Sequence, residues 1–121
     1  MMVQIPMTDS SAGSVKVSVN HGCTSLYISG SFAFHLQSEF RAAYERGVNG
    51  TTLVQIDLHE VEYMDSSGLG MLLVMKKFLD GAGVDCEIVR SRGQTYDLLK
   101  MTYFNQYFSI NGEGIAPIVD K

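Results

Sequence analysis

Cysteine is scarce in this chain: Cys23 and Cys86 are the only two, and no CxxC spacing joins them. That excludes a disulfide framework and leaves buried or idle thiols as the expectation. Basic residues are also few, with nine Lys and Arg against 13 Asp and Glu for a formal charge of −4. A duplex-binding surface needs cations to neutralise phosphates, so no nucleic acid is expected and proteins are the natural partners. No apolar run approaches the roughly 20 residues of a membrane span, so no membrane partner is expected either. The hydrophobic and charged fractions, 45% and 18%, fit an ordinary soluble domain. The opening MMVQIPMTDSSAGS lacks the basic start and apolar middle of a secretory leader, so cytoplasmic residence is the expectation. His21, His35 and His59 share no ligand spacing with each other or with the cysteines, and neither a metal nor a cofactor is expected. There are no internal repeats.

What is present is enough for one domain with a core, since 121 residues exceed the need of one and fall short of two. Residues 1–13 mix Met, Pro, Ser and Gly without periodicity and read as a flexible N-terminal arm; residues 14–121 read as the single domain. SVKVSVN (14–20) alternates with period two, and TSLYIS (24–29) follows a turn-like NHGC, which predicts a hairpin. Helical spacing of Leu36, Phe40, Ala43 and Tyr44 predicts a helix over 34–46, with Gly47 placed to stop it. TTLVQIDL (51–58) is apolar on both faces, as a central strand covered on two sides would be. An apolar helix to about Leu79, a strand over 84–89 and a short helix over 94–101 follow, while the remaining tail carries no clear period, although GEGIAPIVDK looks extended. The fold class is therefore α/β: one mixed β-sheet with helices packed against it.

The segment EYMDSSGLGMLLVMK (62–76) sets a carboxylate and two hydroxyls against an almost unbroken apolar run. Asp65 and Ser66 lie where a helix begins, and either side chain can accept from the unpaired amides there. A cap alone explains one such residue, but not two glycines within the first turns. Each glycine weakens a helix by roughly 1 kcal/mol relative to Ala, and close approach of another backbone is the usual compensation. A partner surface is one such backbone. The helix is apolar on nearly every side, whereas a sheet covers about half of a helix, so some apolar atoms should stay exposed. Leu69 and Met71, beside the hydroxyls, are the candidate contacts, while neighbouring helices would cover Leu72, Leu73 and Val74. The DSSAG at 9–13 repeats three of the letters but follows no strand and precedes no apolar helix.

VEYMDSSGLGMLLVMKKF closely resembles the signature of STAS domains of the anti-sigma factor antagonist type. The similarity extends from the hairpin and the Ser29-Gly30 turn through IDLHEVEYM to YDLLK, roughly residues 14–110. The resemblance implies the STAS fold and a partner-switching regulator, not an enzyme. Unphosphorylated, such a protein binds an anti-sigma factor with serine kinase activity; phosphorylation releases it, and a serine phosphatase restores it. By the family pattern Ser66 is the phosphoacceptor, supported by Asp65, Ser67 and Gly68. Gly68, Leu69, Met71, Ser31 and Phe32 are the expected partner contacts. Where family members carry an acidic residue after the second strand, this chain reads SGSFAFHLQ, with Phe32 and Phe34 in what reads as a loop beside the switch, where the pair forms an interface anchor or at least one of them packs into the core. Asp57, at the end of its strand, either adds negative potential near Ser66 or is simply solvated.

Two other readings compete. One is a structural STAS subunit, resembling those that brace lipid-transport ATPases or stress-sensing complexes, in which Ser66 is never modified. The other is an enzyme with Ser66 as nucleophile, but DSSGLG is not a GxSxG elbow and no His is placed as its base.

Overall fold

The computed structural model describes residues 13–112 and 115–118; residues 1–12 of the expected N-terminal arm, and the last three of the chain, lie outside them. Six strands form a single sheet: β1 (Ser14–Asn20), β2 (Cys23–Phe32), β3 (Leu53–Met64), β4 (Asp85–Ser91), β5 (Ser109–Gly112) and β6 (Ile115–Ile118), in that spatial order. The outer pairs β1–β2 and β5–β6 are antiparallel, while β2, β3, β4 and β5 run parallel. Parallel neighbours require crossovers, and the helices supply them: α1 (Gln37–Gly47), α2 (Ser66–Gly81) and α3 (Gly93–Met101). The sheet is mixed and the expected hairpin is β1–β2.

Register explains the core. Leu26, Ile56, Ile88 and Ile110 stand in one cross-strand row and are each fully or almost fully buried. With Phe32, Phe40, Leu72, Met75, Leu79 and Leu99 they form a contiguous apolar cluster. The next row, Ser25, Gln55, Glu87 and Ser109, faces the other way, and Gln55 Nε2 donates to Glu87. β3 is thus central, as its sequence predicts, but its second face is polar rather than apolar. Burial pushes the Cys86 thiol up to about 12, which leaves no thiolate at neutral pH.

Several boundaries differ from the sequence reading, each for a local reason. β2 runs on to Phe32, because Gly30, at φ +77, carries the chain through a register irregularity instead of ending the strand. β3 likewise continues through HEVEYM, burying Val61 and Met64. Residues 34–36 form a 3₁₀ turn before α1 begins. Gly47 is the last residue of α1, and its role is packing: a Cβ there would meet Thr24 Cγ2 at 2.8 Å. In the unassigned tail, β5 and β6 add two four-residue strands.

Candidate functional site

β3 delivers the chain to Asp65, whose extended backbone, φ −116° and ψ −171°, makes it the N-cap of α2. Asp65 Oδ1 accepts from the amides of Ser67 at 2.9 Å and Gly68 at 3.2 Å, and from Ser67 Oγ at 2.5 Å. The Ser67 hydroxyl first, and then these amides, hold the Asp65 carboxyl below the usual carboxylate range. Of the two candidate caps, the carboxylate takes the position.

The two serines therefore differ. Ser67 is half-buried and its hydroxyl is committed to Asp65. Ser66, the first residue of α2, is exposed, and its hydroxyl makes no hydrogen bond among the described residues. A hydroxyl there stands at the positive end of the helix dipole, an environment that favours an added anion. The strand before it is pinned by a residue from another element. Gln94, at the start of α3, donates from Nε2 to Met64 O at 2.8 Å and accepts from Met64 N at 3.0 Å. Its side chain completes a two-bond bridge resembling a ladder pair, and no spacing in the sequence announces it.

Gly68 does need close approach, but to its own chain. A Cβ there would lie 2.5 Å from Phe32 O and 2.7 Å from Met64 Cγ. Gly68 lets α2 seat against the end of β2, and it is buried, which corrects the expectation that it faces a partner. Leu69, Met71 and Phe32 are corrected in the same way. Leu69 and Met71 are 9% and 7% exposed, and Phe32 is fully enclosed with its ring 5.1 Å from that of Phe40. Phe32 lies on the inward side of β2, in step with Leu26 and Ile28, and could be recognised by extending that alternation through Gly30. Ser31, next to it, is half-buried. Exposed apolar residues near the helix start include Phe34 at 65%, Val74 at 62% and Leu73 at 38%. At 100° per residue Gly70, Leu73 and Val74 share the face of α2 that carries Ser66.

Asp57 supplies no free negative charge here. It is buried, accepts from His59 N at 3.0 Å, and pairs with Arg90 Nε at 2.9 Å. Among the described residues no group of three His, Cys, Asp or Glu could hold a metal ion, and no helix is long and apolar enough to cross a membrane.

A mixed sheet whose central parallel strand feeds a capped helix, with one exposed serine at the helix start, defines the class: an α/β domain presenting a hydroxyl at a helix N-terminus. The chain belongs to the STAS domain family, whose model matches residues 14–119. A STAS-domain-containing protein of Pseudomonas aeruginosa is 31% identical over 86 residues, covering 71% of this chain and 85% of that one. Among solved structures, an anti-sigma factor antagonist from Mycobacterium paratuberculosis superposes with a TM-score of 0.73 at 21% identity, over 84% of this chain and 86% of that one. The phosphorylated form of the Bacillus cell fate determinant SpoIIAA gives 0.64 at 14% identity, over 84% and 94%. A sulfate transporter family protein from Wolinella succinogenes gives 0.68 at 14% identity, over 78% and 80%. At these identities the likeness is one of fold, and the fold is found in proteins described as antagonists and as transporters alike.

Proposed function

We propose that this STAS domain is an anti-sigma factor antagonist that acts by partner switching. Unphosphorylated, it docks on an anti-sigma factor with serine kinase activity; the kinase phosphorylates Ser66, the complex dissociates, and a serine phosphatase resets the cycle. The observation that carries this reading is the contrast between adjacent hydroxyls: Ser67 Oγ is held by Asp65, while Ser66 Oγ is exposed and unengaged among the described residues. The antagonists among the structural neighbours support the reading at the level of fold.

The protein contributes only the nucleophile. Ser66 Oγ attacks the terminal phosphorus of ATP held by the kinase, the bond from that phosphorus to the bridging oxygen breaks, ADP leaves, and the hydroxyl proton passes to the kinase's base. A rigid cap fixes the backbone that carries the attacking hydroxyl, which favours transfer through orientation. The product carries about −1.5 to −2 charges at neutral pH, stabilised by the helix dipole by about 0.3–1 kcal/mol. The fold survives. The complex does not, because like charges about 4 Å apart repel by roughly 1 kcal/mol in water and about 4 kcal/mol near a protein surface. At about 1.4 kcal/mol per decade, one facing carboxylate weakens binding between a few-fold and roughly a thousand-fold. The docking face is the exposed one, Ser66 with Gly70, Leu73 and Val74, rather than Leu69 and Met71.

Affinity for the anti-sigma factor, measured by calorimetry, tests this. Ser66→Ala binds like wild type and accepts no phosphate, while Ser66→Asp binds at least about tenfold more weakly. Equal affinity of the two, with both folded by circular dichroism, contradicts the switch and leaves a STAS subunit that docks without switching.

A further inference from the structure

Between α1 and α2, opening beside Ser67, lies a cavity of about 280 Å³. Its floor is Phe40, Tyr44 and Met71, all buried, and Phe40 and Tyr44 are locked edge to face with centroids 5.3 Å apart. These walls are preformed, since neither ring can turn without disturbing the core. Its lips are Phe34 and Val74, the most exposed large apolar side chains on these two flanks. At Gly70 an added Cβ would meet nothing within 4 Å, so the cavity is open there to a ligand atom.

The size and the charge of this cavity restrict what it can hold. A dry cavity of about 150 Å³ accommodates benzene, so this one takes an aromatic ring, a short chain and a small head group. Drug-sized pockets run from about 300 to 1,000 Å³, so this one suits a ligand at or below the small end of that range. Of the described residues lining it, Arg41 alone is charged. Burial pushes the Tyr44 phenol up, so that wall stays neutral at ordinary pH. Arg41 is paired to Glu45 through Nε at 2.9 Å, an exposed pair one helical turn apart, of a kind that contributes little and yields readily to a better partner. Guanidinium binds planar carboxylates in a bidentate fork, so Arg41 is the group in this lining suited to hold one.

We propose that the α1–α2 groove is a binding site for a small aryl carboxylate, its ring against Phe40, Tyr44 and Met71 and its carboxylate on Arg41. The site stands independently of any phosphorylation of Ser66, although an occupant held between Phe34 and Val74 would share the exposed face of α2 with that serine.

Phenylpropionate is a suitable probe, titrated into the full chain while backbone amide NMR signals are followed. Saturable shifts at Arg41, Ser67 and Gly70 are expected, with a midpoint on the order of 1 mM for a ligand of this size. The neutral phenylpropionamide and the Arg41→Gln variant should each bind about tenfold more weakly, because the charge-assisted contact is lost. Gly70→Leu, which fills open space without touching the core, should abolish the shifts while the rest of the spectrum is kept. Absence of saturable shifts, or equal binding of acid and amide, overturns the proposal. No kinase enters this titration, so its failure leaves the phosphorylation reading standing, and an unmodified Ser66 leaves the groove standing.

Discussion

On one face of α2, Leu72, Met75 and Leu79 are wholly enclosed; on the other, Leu73 and Val74 keep 38% and 62% of their surface exposed beside Ser66. The two glycines divide in the same way. Gly68 is pressed against the Phe32 carbonyl, while Gly70 faces empty space. One apolar helix thus does two jobs: it anchors the end of β3 to the core and presents a greasy edge next to an unengaged hydroxyl. Greasy residues crowd the polar motif because the same segment must seat deeply in order to hold Ser66 still.

Substitutions across the two faces test this contrast, beginning with the largest effect. Leu72→Ala or Met75→Ala should lower stability by about 2–5 kcal/mol in urea unfolding, through lost burial and a residual cavity. Leu73→Ala, on the opposite face, should stay within about 0.5 kcal/mol of wild type. Similar losses on both faces would break the comparison. The glycines sharpen it. Gly68→Ala should cost about 1–3 kcal/mol, since the opposing atom is backbone and cannot swing away. Gly70→Ala should instead gain about 0.5–1 kcal/mol by removing a flexible residue from a helix. A destabilised Gly70→Ala would show that its surroundings are not open.

Next in size is the cap. Asp65→Ala should cost about 0.5–2 kcal/mol at neutral pH. The folded-state pKa of Asp65 lies below its unfolded value, so the unfolded chain binds more protons as acid is added. Its stabilisation is fully present above the ordinary carboxylate pKa and is lost as pH falls through the lowered folded value. Chemical unfolding of wild type and Asp65→Asn across the acid range should therefore converge as that carboxyl is titrated. A gap that widens toward low pH would refute the assignment. The smallest effect belongs to Ser66→Ala, within about 0.5 kcal/mol, because its hydroxyl has no partner among the described residues to lose.

Most of the fold could be read from periodicity. The alternation of Val15, Val17 and Val19, the helical spacing of 36, 40, 43 and 44, and the apolar 51–58 stretch each place an element that is present. The extended look of GEGIAPIVDK covers β6, but the short strand β5 could not be read, because four residues hold too little alternation and its pairing depends on β4 having already formed an edge. In the site, Asp65 and Ser66 were legible as a helix start, since capping is local chemistry. Which of Leu69, Met71, Leu73 and Val74 face outward was not, because a helix apolar on nearly every side has no phase from which to tell its faces apart. Phe32 was misplaced for a related reason. Gly30 reads as a turn in isolation, although the alternation of Leu26 and Ile28 extends through it to Phe32, and its pairing with β3 shows the strand continuing. Gln94 acts across 30 residues of sequence, a separation at which no spacing rule operates.

Two neighbouring hydroxyls have different fates in this mechanism, and one measurement addresses that directly. Incubation with an anti-sigma factor kinase and ATP, followed by tandem mass spectrometry, should locate a single phosphate on Ser66, with Ser67 unmodified. Phosphate on Ser67, or none on either serine while that kinase modifies another substrate, would contradict it.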